Sequence, residues 1–299
     1  MMNNTEKEFH SGFVTIVGRP NVGKSSLMNR MIGEKVAIVS GRPQTTRSRI
    51  MGILSGAEDQ IVFLDTPGIH DPRTRLGEYM MQSVHDALDG MDAVLAILDI
   101  SHLTDQDWKI ARDMKEQKVP VILALNKIDL STPENVLKAT ASASEIGYDE
   151  IIPVSAKNGS GIEDLICCLK KHLPEGPRYF PDDMITDQPE RILCAEIIRE
   201  KALRHLHDEL PHGIGVEIMK IESISEKLTE INATVYCERD AHKRIIIGKN
   251  GSMLQIIGTE ARQDIEKLLS THINLKLWVK IRPDWRNNLS DLRTLGYQS

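Results

Sequence analysis

Aromatic side chains are scarce. They make up 4% of the 299 residues, so Leu, Ile, Val and Met must fill whatever cores the chain builds. Cysteines number four, Cys167, Cys168, Cys194 and Cys237, and none form a C-x-x-C pair. That spacing argues against a zinc site and for small buried apolar groups in a reducing cytosol. Long apolar runs are missing too: the longest, Ala93 to Leu98, falls far short of the roughly 20 residues that span a bilayer. The opening MMNNTEKEFHSG is polar and carries acids, unlike a signal peptide. Positive charge is not in excess. A net charge of -6 counts against a non-specific coat on nucleic acid, although a whole-chain average can conceal a basic face. What remains is an ordinary globular composition, 40% apolar and 27% charged, at a length comfortable for two domains with separate cores.

Apolar runs alternate with helical patterns through the first half. Residues 13–18, 61–65, 93–100, 119–126 and 151–156 read as buried parallel strands, and helices fit the gaps between them. Arg49 to Leu54 reads as an antiparallel edge strand. The expected fold is a doubly wound α/β sheet. Prolines and Gly176 punctuate a polar stretch at 174–190, which reads as a linker. Beyond it the order is α-β-β-α-α-β, with Gly248-Lys249-Asn250-Gly251 between two helices. The boundaries that follow are a tail at 1–12, a nucleotide domain at 13–173, the linker, a second domain at 191–285 and a tail at 286–299.

Gly18-Arg19-Pro20-Asn21-Val22-Gly23-Lys24-Ser25 matches G-x-x-x-x-G-K-[ST] between a strand and a helix. Such a loop turns backbone N–H groups toward phosphates at a helix N-terminus. Gly18, Asn21, Val22 and Gly23 shape the cradle, and Lys24 is expected on the β- and γ-phosphates. Ser25 offers its hydroxyl to Mg²⁺ and Ser26 meets the α-phosphate. Asp65-Thr66-Pro67-Gly68 ends another strand; Asp65 suits Mg²⁺ through water, and the Gly68 N–H suits the γ-phosphate. Asn126-Lys127-Ile128-Asp129 reads guanine, because the Asp129 carboxylate accepts from both N1–H and the exocyclic amine, a donor pair adenine lacks. The Lys127 stem is expected over the base. Ser155-Ala156-Lys157 ends the last strand, where the Ala156 N–H can meet guanine O6. Four such segments at carboxyl ends of strands point to a GTP/GDP site and disfavour an ATPase. Thr45 and Thr46 lie where a switch loop supplies a threonine to Mg²⁺, and Thr46 is the preferred ligand. Lys24, Thr46 and Gly68 are the candidate catalytic positions.

G-R-P-N-V-G-K-S, Q-T-T-R, D-T-P-G, N-K-I-D and S-A-K, followed by that second-domain order, resemble the Era branch of bacterial translation-factor-type GTPases. The fold class this implies is a P-loop GTPase sheet followed by an α+β type II KH domain. The resemblance implies a cytoplasmic factor that binds 16S ribosomal RNA near its 3′ end and acts in assembly of the small ribosomal subunit. It also implies peripheral association with the inner membrane and a link to cell-cycle control. We expect a monomer.

In a KH fold the G-x-x-G loop clamps the nucleic-acid backbone. Gly248 and Gly251 admit close approach, Lys249 adds charge, and Asn250, Lys243 and Arg244 stand beside them. Ile245, Ile246 and Ile247 can floor unstacked bases, with at least one facing the core. Trp278, Trp285 and Tyr297 can stack on bases, although the alternation of its strand favours packing for Trp278. The competing, minor reading is a GTP-dependent membrane- or protein-binding switch in which the second domain is a scaffold. Directly after Gly68 stands Ile69, which cannot orient a water as a glutamine does, so slow intrinsic turnover is expected. Similar G-x-P-N-x-G-K-S GTPases imply a K⁺ ion held by Asn21 and by carbonyls of the Gln44–Thr46 loop. Bound RNA is the alternative activator.

Overall fold

The computed structural model describes residues 8–42, 45–206 and 213–297. They pack as two compact units. Of the described residues, 8–37, 46–70 and 81–187 make up one, and 38–42, 45, 71–80, 188–206 and 213–297 make up the other.

The first unit is built on a six-stranded sheet of order β2-β3-β1-β4-β5-β6. These are β1 (His10–Val17), β2 (Ile50–Ser55), β3 (Asp59–Asp65), β4 (Ala93–Asp99), β5 (Val121–Asn126) and β6 (Ile151–Pro153). All neighbours run parallel except β2, which pairs antiparallel with β3 at the edge. β4 shows why these strands read as continuous apolar runs. Ala93, Leu95 and Ile97 enter the core on one face, and Val94, Ala96 and Leu98 enter the core on the other. The helices that supply those faces are α1 (Lys24–Ile32), α2 (Arg75–Leu88), α3 (Asp105–Lys115), α4 (Pro133–Ile146) and α5 (Ile162–Lys170).

Two boundaries differ from the sequence reading. β1 begins at His10, inside the expected tail, because Ser11 N–H finds Pro174 O at 3.0 Å and His10 pairs with Glu175. The proline-rich stretch at 174–190, expected as a linker, is strapped to the first unit over most of its length. The buried Gln60 carboxamide accepts from Tyr179 and Phe180 N–H at 2.9 and 3.0 Å and donates to Phe180 O. Further along, Ile185 O accepts from Ile53 N–H and Thr186 Oγ1 donates to Met51 O, covering the β2 edge.

The second unit contains α6 (Glu190–His205), β7 (Gly215–Ser225), β8 (Leu228–Cys237), α7 (Asp240–Ile247), α8 (Ser252–Leu269), β9 (His272–Ile281) and a short α9 (Leu289–Thr294). Its sheet order is β7-β8-β9, antiparallel then parallel. α9 falls in the segment expected to be a tail. Along β9, Ile273, Leu275, Leu277 and Val279 face the core, which puts Trp278 on the opposite face at 47% exposure. Packing was expected for Trp278, and the register of β9 reverses that reading. Trp285 and Tyr297, expected as base platforms, are instead buried and stacked on each other, and Trp285 Nε1 donates to Gly213 O.

Candidate functional site

The turn from β1 into α1 needs unusual backbone. Gly18, Asn21 and Gly23 all take positive φ, at 153°, 66° and 101°. A side chain at Gly23 would meet the Asn126 amide nitrogen at 2.3 Å, and one at Gly18 would meet the Ile97 carbonyl at 2.5 Å. The loop is therefore wedged between the ends of β4 and β5. Gly68 lies against it from the other side, where a Cβ would fall 2.5 Å from the Pro20 nitrogen, and Ile69 N–H donates to Gly18 O at 3.1 Å. The phosphate-loop glycines and the D-T-P-G glycine thus share one close-packed junction.

Ser25, Thr46 and Asp65 come from three separate segments and converge. Ser25 Oγ donates to Asp65 Oδ2 at 2.5 Å and lies 2.9 Å from Thr46 Oγ1, which is 3.4 Å from the same carboxylate oxygen. Asp65 Oδ1 is buried and makes no hydrogen bond with the described residues. Burial raises the Asp65 pKa to about 6, only partly offset by the Lys24 charge, the two hydroxyls and the Thr66 backbone. Burial likewise lowers Lys24 to about 8 despite Asp65 nearby. The Lys24 ammonium donates to the Gly18 and Arg19 carbonyls at 3.2 and 3.0 Å. Three hard oxygen donors, one of them an unpartnered buried carboxylate oxygen, fit a Mg²⁺ ion. Thr45 is not among them: its hydroxyl donates to Arg42 O. Ser26 sits half-buried in the first turn of α1, and Gln44 lies outside the described residues.

The base-reading segments are knitted together. Asn126 Nδ2 donates to Val22 O at 2.8 Å, and Asn126 Oδ1 accepts from Ala156 N–H at 3.1 Å. Ser155 Oγ donates to Asp129 Oδ1 at 2.6 Å. Lys127, itself at φ 67°, sends its ammonium to Asn21 O and to Asp99 Oδ2 at 2.6 Å. Lys157 is exposed, whereas Thr66 and Pro67 are buried, with Thr66 Oγ1 bonded to Ile16 O. Sequence reasoning missed two acids here. Asp99 ends β4 beside the other strand-end motifs, and that position was the available signal. Asp107 is fully buried, holds Arg19 Nε at 2.7 Å and also takes the Thr104 N–H, hydroxyl and α3 start. Its T-x-x-D spacing after Thr104 marks a helix start, a capping signal that says nothing of Arg19.

In the second unit, Gly248, Asn250 and Gly251 take φ of 72°, 53° and 82° between α7 and α8. A Cβ on Gly248 would lie 2.8 Å from the Met253 backbone nitrogen, whereas one on Gly251 would meet nothing. Ile246 is fully buried and Ile247 packs on the same core, while Ile245 is exposed at the surface. Lys249 is exposed, Lys243 half-buried, and Arg244 is exposed with Asp240 as partner at 2.6 Å.

Comparison with known proteins agrees with both units. Residues 13–127 match the 50S ribosome-binding GTPase family, and residues 209–286 match the KH domain family. The chain is 50% identical to GTPase Era of Clostridium botulinum (strain Eklund 17B / Type B) over 97% of its length and 99% of that protein. It is also 50% identical to GTPase Era of Clostridioides difficile (strain 630), at the same coverage. Among solved structures, Era in complex with MgGDPNP and nucleotides 1506-1542 of 16S ribosomal RNA superposes with a TM-score of 0.93 at 38% identity, covering 97% of this chain and all of that one. A variant of Aquifex aeolicus Era bound to GDP.AlF4- gives the same TM-score at 39% identity.

Proposed function

The chain belongs to the Era family of GTPases, and from that premise we propose a GTP-driven switch whose KH unit binds the 3′ region of 16S ribosomal RNA during assembly of the small subunit. The observation that carries the nucleotide half is the convergence of Ser25, Thr46 and Asp65 around an unpartnered buried oxygen. Those three residues would hold Mg²⁺, which when bound neutralises charge on the β- and γ-phosphates. Lys24 neutralises the same phosphates from the loop side. The Gly68 N–H marks the γ-phosphate, and Asn126, Asp129 and the Ala156 N–H read the guanine edge. Ile69 is half-buried against apolar neighbours and offers no hydrogen bond to a water, so intrinsic turnover is slow. A K⁺ ion at Asn21 supplies the missing charge in this reading.

The RNA half rests on the G-x-x-G geometry and on the relative crystallised with 16S ribosomal RNA. Lys249, Lys243 and Arg244 supply charge beside Gly248, Asn250 and Gly251, and Ile247 lies under the loop. Action as a monomer in the cytoplasm, peripheral membrane contact and a cell-cycle link rest on family likeness alone. Among the described residues no helix is long and apolar enough to cross a membrane. The test is affinity for RNA of nucleotides 1506–1542 at fixed salt, with GDP and with a non-hydrolysable GTP analogue. The reading expects binding that depends on the nucleotide. Equal affinities would remove the switch, and absence of binding in both states would remove the RNA partner.

A further inference from the structure

Among the described residues one cluster combines a thiol, an imidazole and a carboxylate: Cys168, His172 and Glu150, whose donor atoms all lie within 4.8 Å of one another. None of the three touches the nucleotide motifs. Cys168 and His172 are four residues apart. The helical turn persists past Lys170 through Lys171 N–H to Cys168 O and His172 N–H to Leu169 O, so both side chains leave from one face. Glu150 stands immediately before β6, where its carbonyl accepts from Leu123 N–H at 3.0 Å. Its carboxylate meets His172 Nε2 at 2.5 Å. The backbone of all three positions is therefore pinned by regular structure.

We propose that Glu150, Cys168 and His172 form a zinc site with three protein ligands and a water in the fourth position. Tetrahedral ligands at zinc distances stand about 3.3–3.8 Å apart, so side-chain adjustment of about an ångström suffices and no strand need move. The donor set selects the metal. Mg²⁺ and Ca²⁺ prefer all-oxygen shells, whereas sulfur, nitrogen and one carboxylate oxygen suit Zn²⁺. Cys168 is buried against the apolar core, while Glu150 and His172 are only partly covered and leave solvent access for the metal and its water. Binding displaces the thiol proton of Cys168 to solvent and replaces the Glu150–His172 contact with two metal bonds. The metal would tie the start of β6 to the end of α5, the two elements joined by the Ser155–Ala156–Lys157 segment. Cysteine spacing alone argued against zinc, because two of the three ligands are not cysteines.

The experiment uses the full chain, stripped of transition metals by a chelator and kept saturated with Mg²⁺ and GDP so that the phosphate site is filled. It is titrated with Co²⁺ as the spectroscopic probe. The expected result is one Co²⁺ per chain with a thiolate-to-cobalt absorption band, displaced by one equivalent of Zn²⁺. Cys168→Ala abolishes the band, Glu150→Gln and His172→Ala weaken Co²⁺ binding at least about tenfold, and exposed Cys167→Ala changes nothing. Because Cys168 lies in the core, GDP binding reports whether its variant has folded, and His172→Ala tests the site at a half-exposed position. Co²⁺ uptake without the thiolate band, or with undiminished affinity in His172→Ala, overturns the proposal.

Discussion

Ser155 Oγ donates to Asp129 Oδ1 at 2.6 Å, joining the segments that follow two neighbouring strands, where the proposed guanine contacts lie. The bond orients the carboxylate so that its remaining lone pairs face one way. Asp129→Asn should weaken GDP by about 3 kcal/mol, or roughly 100-fold, because both charge-assisted bonds to guanine change. It should improve xanthosine diphosphate, whose C2 carbonyl suits an amide donor. Ser155→Ala should cost about 1 kcal/mol, near fivefold, without changing base preference. Competition between fluorescent guanine and xanthine nucleotides reads both outcomes.

Asp65 and Lys24 make stability depend on pH. The folded Asp65 titrates near 6 and the unfolded one near its usual value of 3.8, so the folded state holds the extra proton between them. Acidification from pH 6 to 4 therefore stabilises the nucleotide-free fold through this group, by on the order of 2 kcal/mol. Lys24 falls to about 8 from 10.5, so its buried charge costs stability below pH 8 and the cost fades as pH rises through that window. The pair weighs most on the free fold between pH 6 and 8, where Mg²⁺ and GDP should raise Tm most. Melting curves across pH check this; Asp65→Asn should erase the acid arm and, by removing the charge that raises Lys24, deepen the alkaline one.

The two loop glycines in the second unit should separate folding from RNA binding. Gly248→Asp forces a Cβ against the Met253 backbone and should lower Tm. Gly251→Asp meets open space, and aspartate tolerates its left-handed backbone better than most residues. It should leave folding stability within about 1 kcal/mol of the parent while weakening RNA at least about tenfold, through bulk and like charge beside phosphate. Unchanged RNA affinity in folded Gly251→Asp would reduce the loop to a structural turn.

Hydrolysis should respond to the monovalent ion. At equal ionic strength, K⁺ is expected to raise the GTPase rate about tenfold or more over Na⁺, from a base near the roughly 10⁻⁴ s⁻¹ of an unassisted GTPase. Asn21→Ala should remove the difference while keeping GDP affinity. A parent enzyme indifferent to the cation would leave bound RNA as the activator.

The nucleotide half was legible because its chemistry is written in contiguous motifs. Lys24, Ser25, Asp65, Asn126, Asp129 and Ser155 each announce themselves by spacing and by their place at a strand end. Thr46 was separable from Thr45 only as a preference; the fold places its hydroxyl beside Ser25 and turns Thr45 to Arg42. Asp107 stayed invisible, since a buried acid holding Arg19 looks in sequence like any helix-start aspartate. That the stretch at 174–186 is strapped to the sheet was not legible, because its anchor, Gln60, lies far away in the chain and carries no signal of its own.

By itself, the sequence determined that strands such as β4 are buried on both faces, that a glycine-bearing phosphate loop joins a strand to a helix at 18–25, and that the nucleotide carries guanine. Those properties depend on local periodicity, residue shape and functional-group pattern. Only the tertiary structure decided which face of β9 is covered, exposing Trp278, because a strand's alternation gives two faces without saying which one meets a helix. Tertiary structure also brought Glu150 within reach of Cys168 and His172, since the end of α5 returns to the start of β6 and that packing is not written in the spacing of the three residues.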